Sequence, residues 1–163
     1  MDVDPLPQAD ISRILGLLEI LEDRGGREDI YKLGRDLNVE SGDLITVIHA
    51  AELLGFVTTP GGDVVLLEEG RRLNDGEIND TKAIMQARML GIPLFQYLKQ
   101  RLEQEEDHRL SRDAIQEELS RLLPKENPDT LFKTIVNWAR YAEIFGYNRD
   151  HDIFYLDEGE TLG

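Results

Sequence analysis

The 163 residues contain no cysteine, which excludes disulfides, thiolate zinc sites and cysteine nucleophiles. Histidine is scarce: His49, His108 and His151 are the whole supply, and none lies four residues from another or in an H-E-x-x-H pattern. Without clustered imidazoles or thiols, a zinc site is not expected. No D-x-[DN]-x-[DN]-G loop offers calcium a cage. No lysine follows a glycine, so the phosphate-binding G-x-x-x-x-G-K-[ST] loop is missing. G-x-G-x-x-G and G-x-S-x-G are missing too, which leaves no dinucleotide fingerprint and no nucleophile elbow. No apolar run approaches the roughly 20 residues of a membrane span; "GLLEILE" is already broken by Glu19. Met1-Asp2-Val3-Asp4 lacks the basic start of a signal peptide, so a cytoplasmic protein is expected.

Acid outweighs base. Lys and Arg number 18 against 33 Asp and Glu, a formal net charge of −15, and only 5 of the bases are lysine. Such a surface repels phosphate backbones and anionic lipid at long range and attracts cations or a basic partner. With 40% apolar and 31% charged residues, the composition is that of a folded protein.

Helical periodicity dominates. Ile14, Leu15, Leu18 and Leu21 share one face, and the Gly25-Gly26 pair then breaks the helix. Ile30, Leu33 and Leu37 mark a second helix, opened by Glu28 and Asp29. Ser41 is a candidate N-cap for a third, whose buried stripe is Leu44, Val47, Ile48, Ala51 and Leu54. Gly55 stands where a helix ends in left-handed backbone. "FVTT", "PGG" and "DVVLL" then read as strand, turn, strand. Three helices and a hairpin, with a tight turn between helices two and three, is the winged-helix order. A helix over Asp75 to Leu90 follows, with Ile84, Met85 and Met89 inward, and Gly91-Ile92-Pro93 ends it.

The second half is built similarly. Leu94, Leu98 and Leu102 form one stripe, Ile115, Leu119, Leu122 and Leu123 another behind the candidate cap Ser111. Asn127-Pro128 starts a last helix carrying Leu131, Ile135, Trp138, Ala142 and Phe145, which Gly146 should stop. "AEIFGYNRDHDIFYLDEG" (Ala142 to Gly159) then repeats "AELLGFVTTPGGDVVLLEEG" (Ala51 to Gly70), 91 positions on before the hairpin turn and 89 after it. The fold class expected is mainly α with small β-hairpins, as two tandem winged-helix units related by internal duplication. The layout expected is a lead-in over 1–9, a first unit over 10–74, a connecting helix over 75–92, a second unit over 93–158 and a tail over 159–163.

"LLEILEDRGGRED" and "WARYAEIFGY", with the stretches around them from Pro5 to Asp157, carry a family resemblance. The chain resembles the C-terminal AAA-associated domain that follows the nucleotide-binding domain in ATP-binding subunits of nitrate/sulfonate/taurine-type ABC importers. The resemblance covers the appended domain alone; the ABC signature "LSGGQ" is missing. A stand-alone homologue and an excised piece both fit. The resemblance implies an accessory or regulatory role with no assigned chemistry.

The candidate contacts are few. Arg24 and Arg27 flank the glycine pair, where amides and guanidiniums together can hold an anion; an interhelix turn is the simpler reading. Trp138 falls on the apolar stripe, but Arg140 and Tyr141 turn partly away, and both residue types are enriched in binding hot spots. Arg24, Arg27, Arg140 and Tyr141 are therefore the expected partner contacts. His151, between Asp150 and Asp152, reads as an exposed turn before it reads as a cation site, and Glu105, Glu106 and Asp107 as a solvated one.

No catalytic residue, cofactor or metal is expected, and the chain reads as a non-enzyme. The leading function is a protein-interaction module, its partner an ABC ATP-binding subunit, a permease or a second copy of this chain, without membrane insertion. The alternatives are a winged-helix DNA-binding transcriptional regulator and a sensor of small anions or metabolites. Against DNA, the third helix (Ser41 to Leu54) carries Asp43 and Glu52 and no Lys or Arg, where a DNA reader shows a basic stripe. Only convergence of Arg24, Arg27, Arg71, Arg72 and Arg149 on one face would restore that reading.

Overall fold

The computed structural model describes residues 3–37 and 41–156. It is mainly helical with small antiparallel sheets, and the chain divides into two compact units. Pro7–Arg88 forms one; the described residues from Met89 onward, with the lead-in through Leu6, form the other.

The first unit runs α1 (Ile11–Asp23), β1 (Arg27–Asp29), α2 (Ile30–Leu37), α3 (Ser41–Leu53), β2 (Val57–Thr58), a 3-10 turn (Pro60–Gly62), β3 (Asp63–Leu66), α4 (Glu68–Asp75) and α5 (Ile78–Met89). Helix α1 buries Ile11, Ile14, Leu17, Leu18 and Leu21, a stripe at helical spacing. Leu33, Leu44, Ile48, Ala51, Leu54 and Phe56 complete that core. The expected cap Ser41 has its side chain outside the described residues.

Strand β3 lies in the middle of a three-stranded sheet, β1 on one side and β2 on the other. Arg27 pairs with Val65 and Asp29 with Asp63; Val57 pairs with Leu66. The hairpin of β2 and β3 stands where "FVTT" and "DVVLL" place it. Strand β1 is a third strand where the sequence suggested only a helix start. Gly25 and Gly26 make it possible: at φ 82° and 91° they turn the chain out of α1, and the Gly26 carbonyl accepts from Leu66 N at 2.8 Å.

Helix α4 is also additional to the sequence reading. Asn74 anchors it, donating to the Leu18 carbonyl at 2.9 Å. Within the segment expected to connect the halves, α5 occupies Ile78–Met89.

The second unit runs α6 (Pro93–Gln104), β4 (Arg109–Ser111), α7 (Arg112–Leu122), α8 (Pro128–Ala142), β5 (Gly146–Asn148) and β6 (Ile153–Tyr155). Its sheet has the order β4, β6, β5, again antiparallel with the last strand in the middle. Both units thus follow helix, strand, helix, helix, strand, strand, an order consistent with the winged-helix reading. The two expected caps are in place: Ser111 Oγ accepts from Ala114 N at 3.1 Å, and Asn127 Oδ1 from Asp129 N at 2.9 Å. Trp138 is fully buried and stacks with Phe95 at 6.2 Å between ring centroids. Phe145 and Phe154, edge to face at 4.9 Å, join the sheet to this core.

One expected helix end moves. Helix α8 closes at Glu143, in left-handed backbone at φ 56°, and not at Gly146. Phe145, placed on the helix stripe by its spacing, is buried but beyond the helix.

Candidate functional site

The glycine turn after α1 spends its polar groups internally. The amides of Arg24, Gly25 and Gly26 donate to the Ile20, Glu22 and Leu21 carbonyls. Arg24 donates to Glu28 at 2.7 Å and also to Asp36. Hydrogen bonds from the Asp29 amide and then Arg24 hold the Glu28 carboxyl below the usual carboxylate range, and Arg24 does the same for Asp36. Arg27 reaches across the sheet to Asp63 at 2.8 Å and remains largely exposed. Arg72 is held by Glu69 at 2.5 Å. So Arg24, Arg27 and Arg72 each face a carboxylate, and the turn presents ion pairs in place of open cations.

Arg140 and Tyr141 stand on the last turn of α8. Arg140 is exposed and forms no ion pair with a described residue; Tyr141 is half-buried. They lie in the second unit and Arg24 and Arg27 in the first.

Helix α3 has a surface that the sequence reading passed over. Ile45 is 45% exposed and Leu53 44%, and exposed His49 lies between them at i, i+4, i+8 spacing. Exposed Glu52 lies beside this stripe, exposed Asp43 falls on the other side of the helix, and no Lys or Arg is on the helix. The signal was present: Ile45 and Leu53 are apolar residues in surplus, off the stripe that Leu44, Val47, Ile48, Ala51 and Leu54 bury.

The second unit holds two polar networks. Tyr97, buried on α6, donates its hydroxyl to Glu118 on α7, and Arg121 donates to the same hydroxyl at 2.9 Å and to Glu118 at 2.5 Å. Tyr97 first and Arg121 next hold the Glu118 carboxyl below its usual range, while burial pushes the phenol up. In the hairpin turn, Asp152 accepts from the Tyr147 hydroxyl and lies 4.0 Å from Arg112, whose guanidinium covers the Phe132 ring at 4.7 Å. That carboxylate is committed within the fold, and His151 beside it is exposed. Among the described residues no group of three or more His, Asp or Glu could hold a metal ion. No described helix is long and apolar enough to cross a membrane.

No curated protein and no solved structure matches the chain. A family model does, over residues 31–148, from Tyr31 on α2 to Asn148 at the end of β5, and so through most of both units. The chain belongs to the C-terminal AAA-associated domain family.

Proposed function

We propose that this protein is a non-catalytic accessory module that acts by protein–protein contact beside an ATPase, in the cytoplasm. Family membership supports the association with ATPases. The outer face of α3 carries the rest of the reading. On a winged helix this is the face that enters the major groove in DNA readers, and here it offers Ile45, His49 and Leu53 with Glu52 beside them. An apolar patch with a carboxylate beside it and no base suits a protein partner with an apolar patch of its own and does not attract a phosphate backbone.

The partner proposed is an ABC-type ATP-binding subunit, with its permease or a second copy of this chain as the other candidates. Two tandem winged-helix units give such a module two surfaces, and regulation follows if a partner favours one arrangement of them. The test is a calorimetric titration of the purified chain into an ABC ATP-binding subunit from the same source. Saturable binding that is lost in the Ile45→Glu/Leu53→Glu double variant supports the reading. No heat, or heat unchanged by that variant, moves the contact away from α3. Arg140→Glu then tests the surface of α8.

A further inference from the structure

Helix α1 contains a glycine with no conformational task. Gly16 sits mid-helix, where glycine is among the least favourable residues. A Cβ built there meets no atom within 4 Å, so close packing does not demand it either. What the missing side chain leaves open is a cavity of about 230 Å³ between α1, the end of α2 and the start of α3. Its walls are Gly16, Leu17, Leu37, Leu44 and Val47.

Arg13 and Asp43 complete the lining of this chamber. Both also line an adjoining polar cavity of about 190 Å³, with Gln8 and Asp10. Asp10 is the N-cap of α1, yet its carboxylate makes no cap hydrogen bond. Arg13 and Asp43 make no ion pair with a described residue. The first unit thus joins an apolar chamber to a vestibule with one guanidinium and two carboxylates, all three exposed and none in an ion pair with a described residue. This contrasts with Arg24, Arg27 and Arg72 of the same unit, each matched to a carboxylate.

We infer that this cavity binds a small aliphatic ligand with a zwitterionic head, the chemistry of an aliphatic α-amino acid. The chamber is smaller than the about 300–1,000 Å³ of pockets that take drug-sized molecules. It suits a branched hydrocarbon side chain of a few carbons. Arg13 takes the ligand carboxylate as a charge-assisted pair, and Asp43 and Asp10 take the ammonium. The site lies wholly within the first unit and is separate from the outer face of α3.

The test is thermal unfolding of the full chain, followed by calorimetry, with L-leucine and L-valine at millimolar concentrations. Isoamylamine, isocaproate and isoamyl alcohol serve as ligands with half of the head or none. A concentration-dependent rise in Tm with L-leucine is expected, since a ligand held by the folded state alone stabilises it. The half-headed compounds should act more weakly and the alcohol not at all. Gly16→Leu fills the chamber and should abolish the shift while leaving the unliganded Tm equal or higher. Arg13→Gln, on an exposed position, should weaken binding by about tenfold or more, the effect of losing one charge-assisted hydrogen bond. No shift with either amino acid overturns the inference. So does an equal shift with isoamyl alcohol, or undiminished binding by a folded Gly16→Leu protein.

Discussion

Gly55 and Glu143 hold equivalent places in the two units: each closes the third helix of its unit in left-handed backbone, at φ 82° and 56°. In each case the next residue reaches back five positions. Phe56 N donates to the Ala51 carbonyl at 3.0 Å, and Ile144 N to Ala139 at 3.2 Å. These two caps are 88 residues apart, whereas the repeated phrase lies 91 apart and would pair Gly55 with Gly146. Gly146 instead opens β5, under the ring of Tyr155. At this helix end the verbal repeat and the structural repeat are therefore three residues out of step.

That equivalence predicts opposite signs for two substitutions. A side chain in left-handed backbone costs about 1–2 kcal/mol, and Glu143 bears that cost. Glu143→Gly should stabilise the protein by up to about 1 kcal/mol, after about 0.4–1 kcal/mol for the freer unfolded chain. Gly55→Ala should destabilise it by about 1 kcal/mol or somewhat more, because its Cβ would also come within 2.9 Å of the Arg88 guanidinium. Urea midpoints of the two variants, compared with the parent, check both signs. A loss of stability in Glu143→Gly would refute the equivalence.

Two other glycines are fixed by space rather than by φ. A Cβ at Gly70, on α4, would lie 2.6 Å from the Phe56 carbonyl oxygen and 2.7 Å from Leu66 Cδ1. Backbone cannot swing aside, so Gly70→Ala should cost about 1–3 kcal/mol, the usual range for overpacking. A Cβ at Gly146 would lie 2.2 Å from Tyr155 Cζ, a ring that can leave. Gly146→Ala should therefore destabilise in the parent but much less in a Tyr155→Ala background. A double-mutant cycle measures that coupling, and additivity of the two changes would show that the ring is not the obstacle.

The Tyr97–Glu118–Arg121 network sets a pH window for the second unit. Glu118 is held below its usual range, chiefly by the Tyr97 hydroxyl and then by Arg121. Its contribution is present above the unfolded carboxyl value of about 4.3 and is lost as pH falls through the lower folded value. Tyr97 is raised, by burial first and Glu118 second. Its contribution is complete below the unfolded value of about 10 and is lost as pH rises through the higher folded value. Glu118→Gln should flatten the acid limb of stability against pH, and Tyr97→Phe should flatten the alkaline limb and part of the acid one. Urea midpoints across that range check this. An acid limb unchanged in Glu118→Gln would assign acid sensitivity to other carboxylates.

Much of this fold could be read from residues whose signals are local. The stripes of α1, α3 and α8, the caps Ser111 and Asn127 and the burial of Trp138 all follow from spacing or from a side chain's nearest amides. Strand β1 could not be read that way. Arg27-Glu28-Asp29 is entirely charged and is a strand only because β3, far along the chain, offers it a ladder. Helix α4 buries only Gly70 and Leu73, too little to make a periodic stripe. The candidate site divided in the same way. The polar character of Arg24 and Arg27 was plain, but their neutralisation by Asp36 and Asp63 depends on contacts between distant segments. The cavity behind Gly16 depends on three helices meeting.

That neutralisation leads to the prediction about nucleic acid. Of the arginines whose convergence would favour DNA, Arg24, Arg27 and Arg72 each face a carboxylate within the first unit. The outer face of α3 supplies no cation to replace them. Each phosphate contact in a protein–duplex complex contributes about −0.9 to the slope of log K against log salt, through counterion release. A chain of net charge −15 with Arg24, Arg27 and Arg72 paired has few such contacts to make. The purified protein should leave duplex DNA unretarded at physiological salt and show only weak, sequence-independent association at low salt. Fluorescence anisotropy of a labelled duplex across a salt series measures this directly. A steep negative slope with submicromolar binding at physiological salt would mean that the ion pairs of Arg24 and Arg27 open to phosphate, and it would move the functional surface from the outer face of α3 to the sheet and turn that carry them.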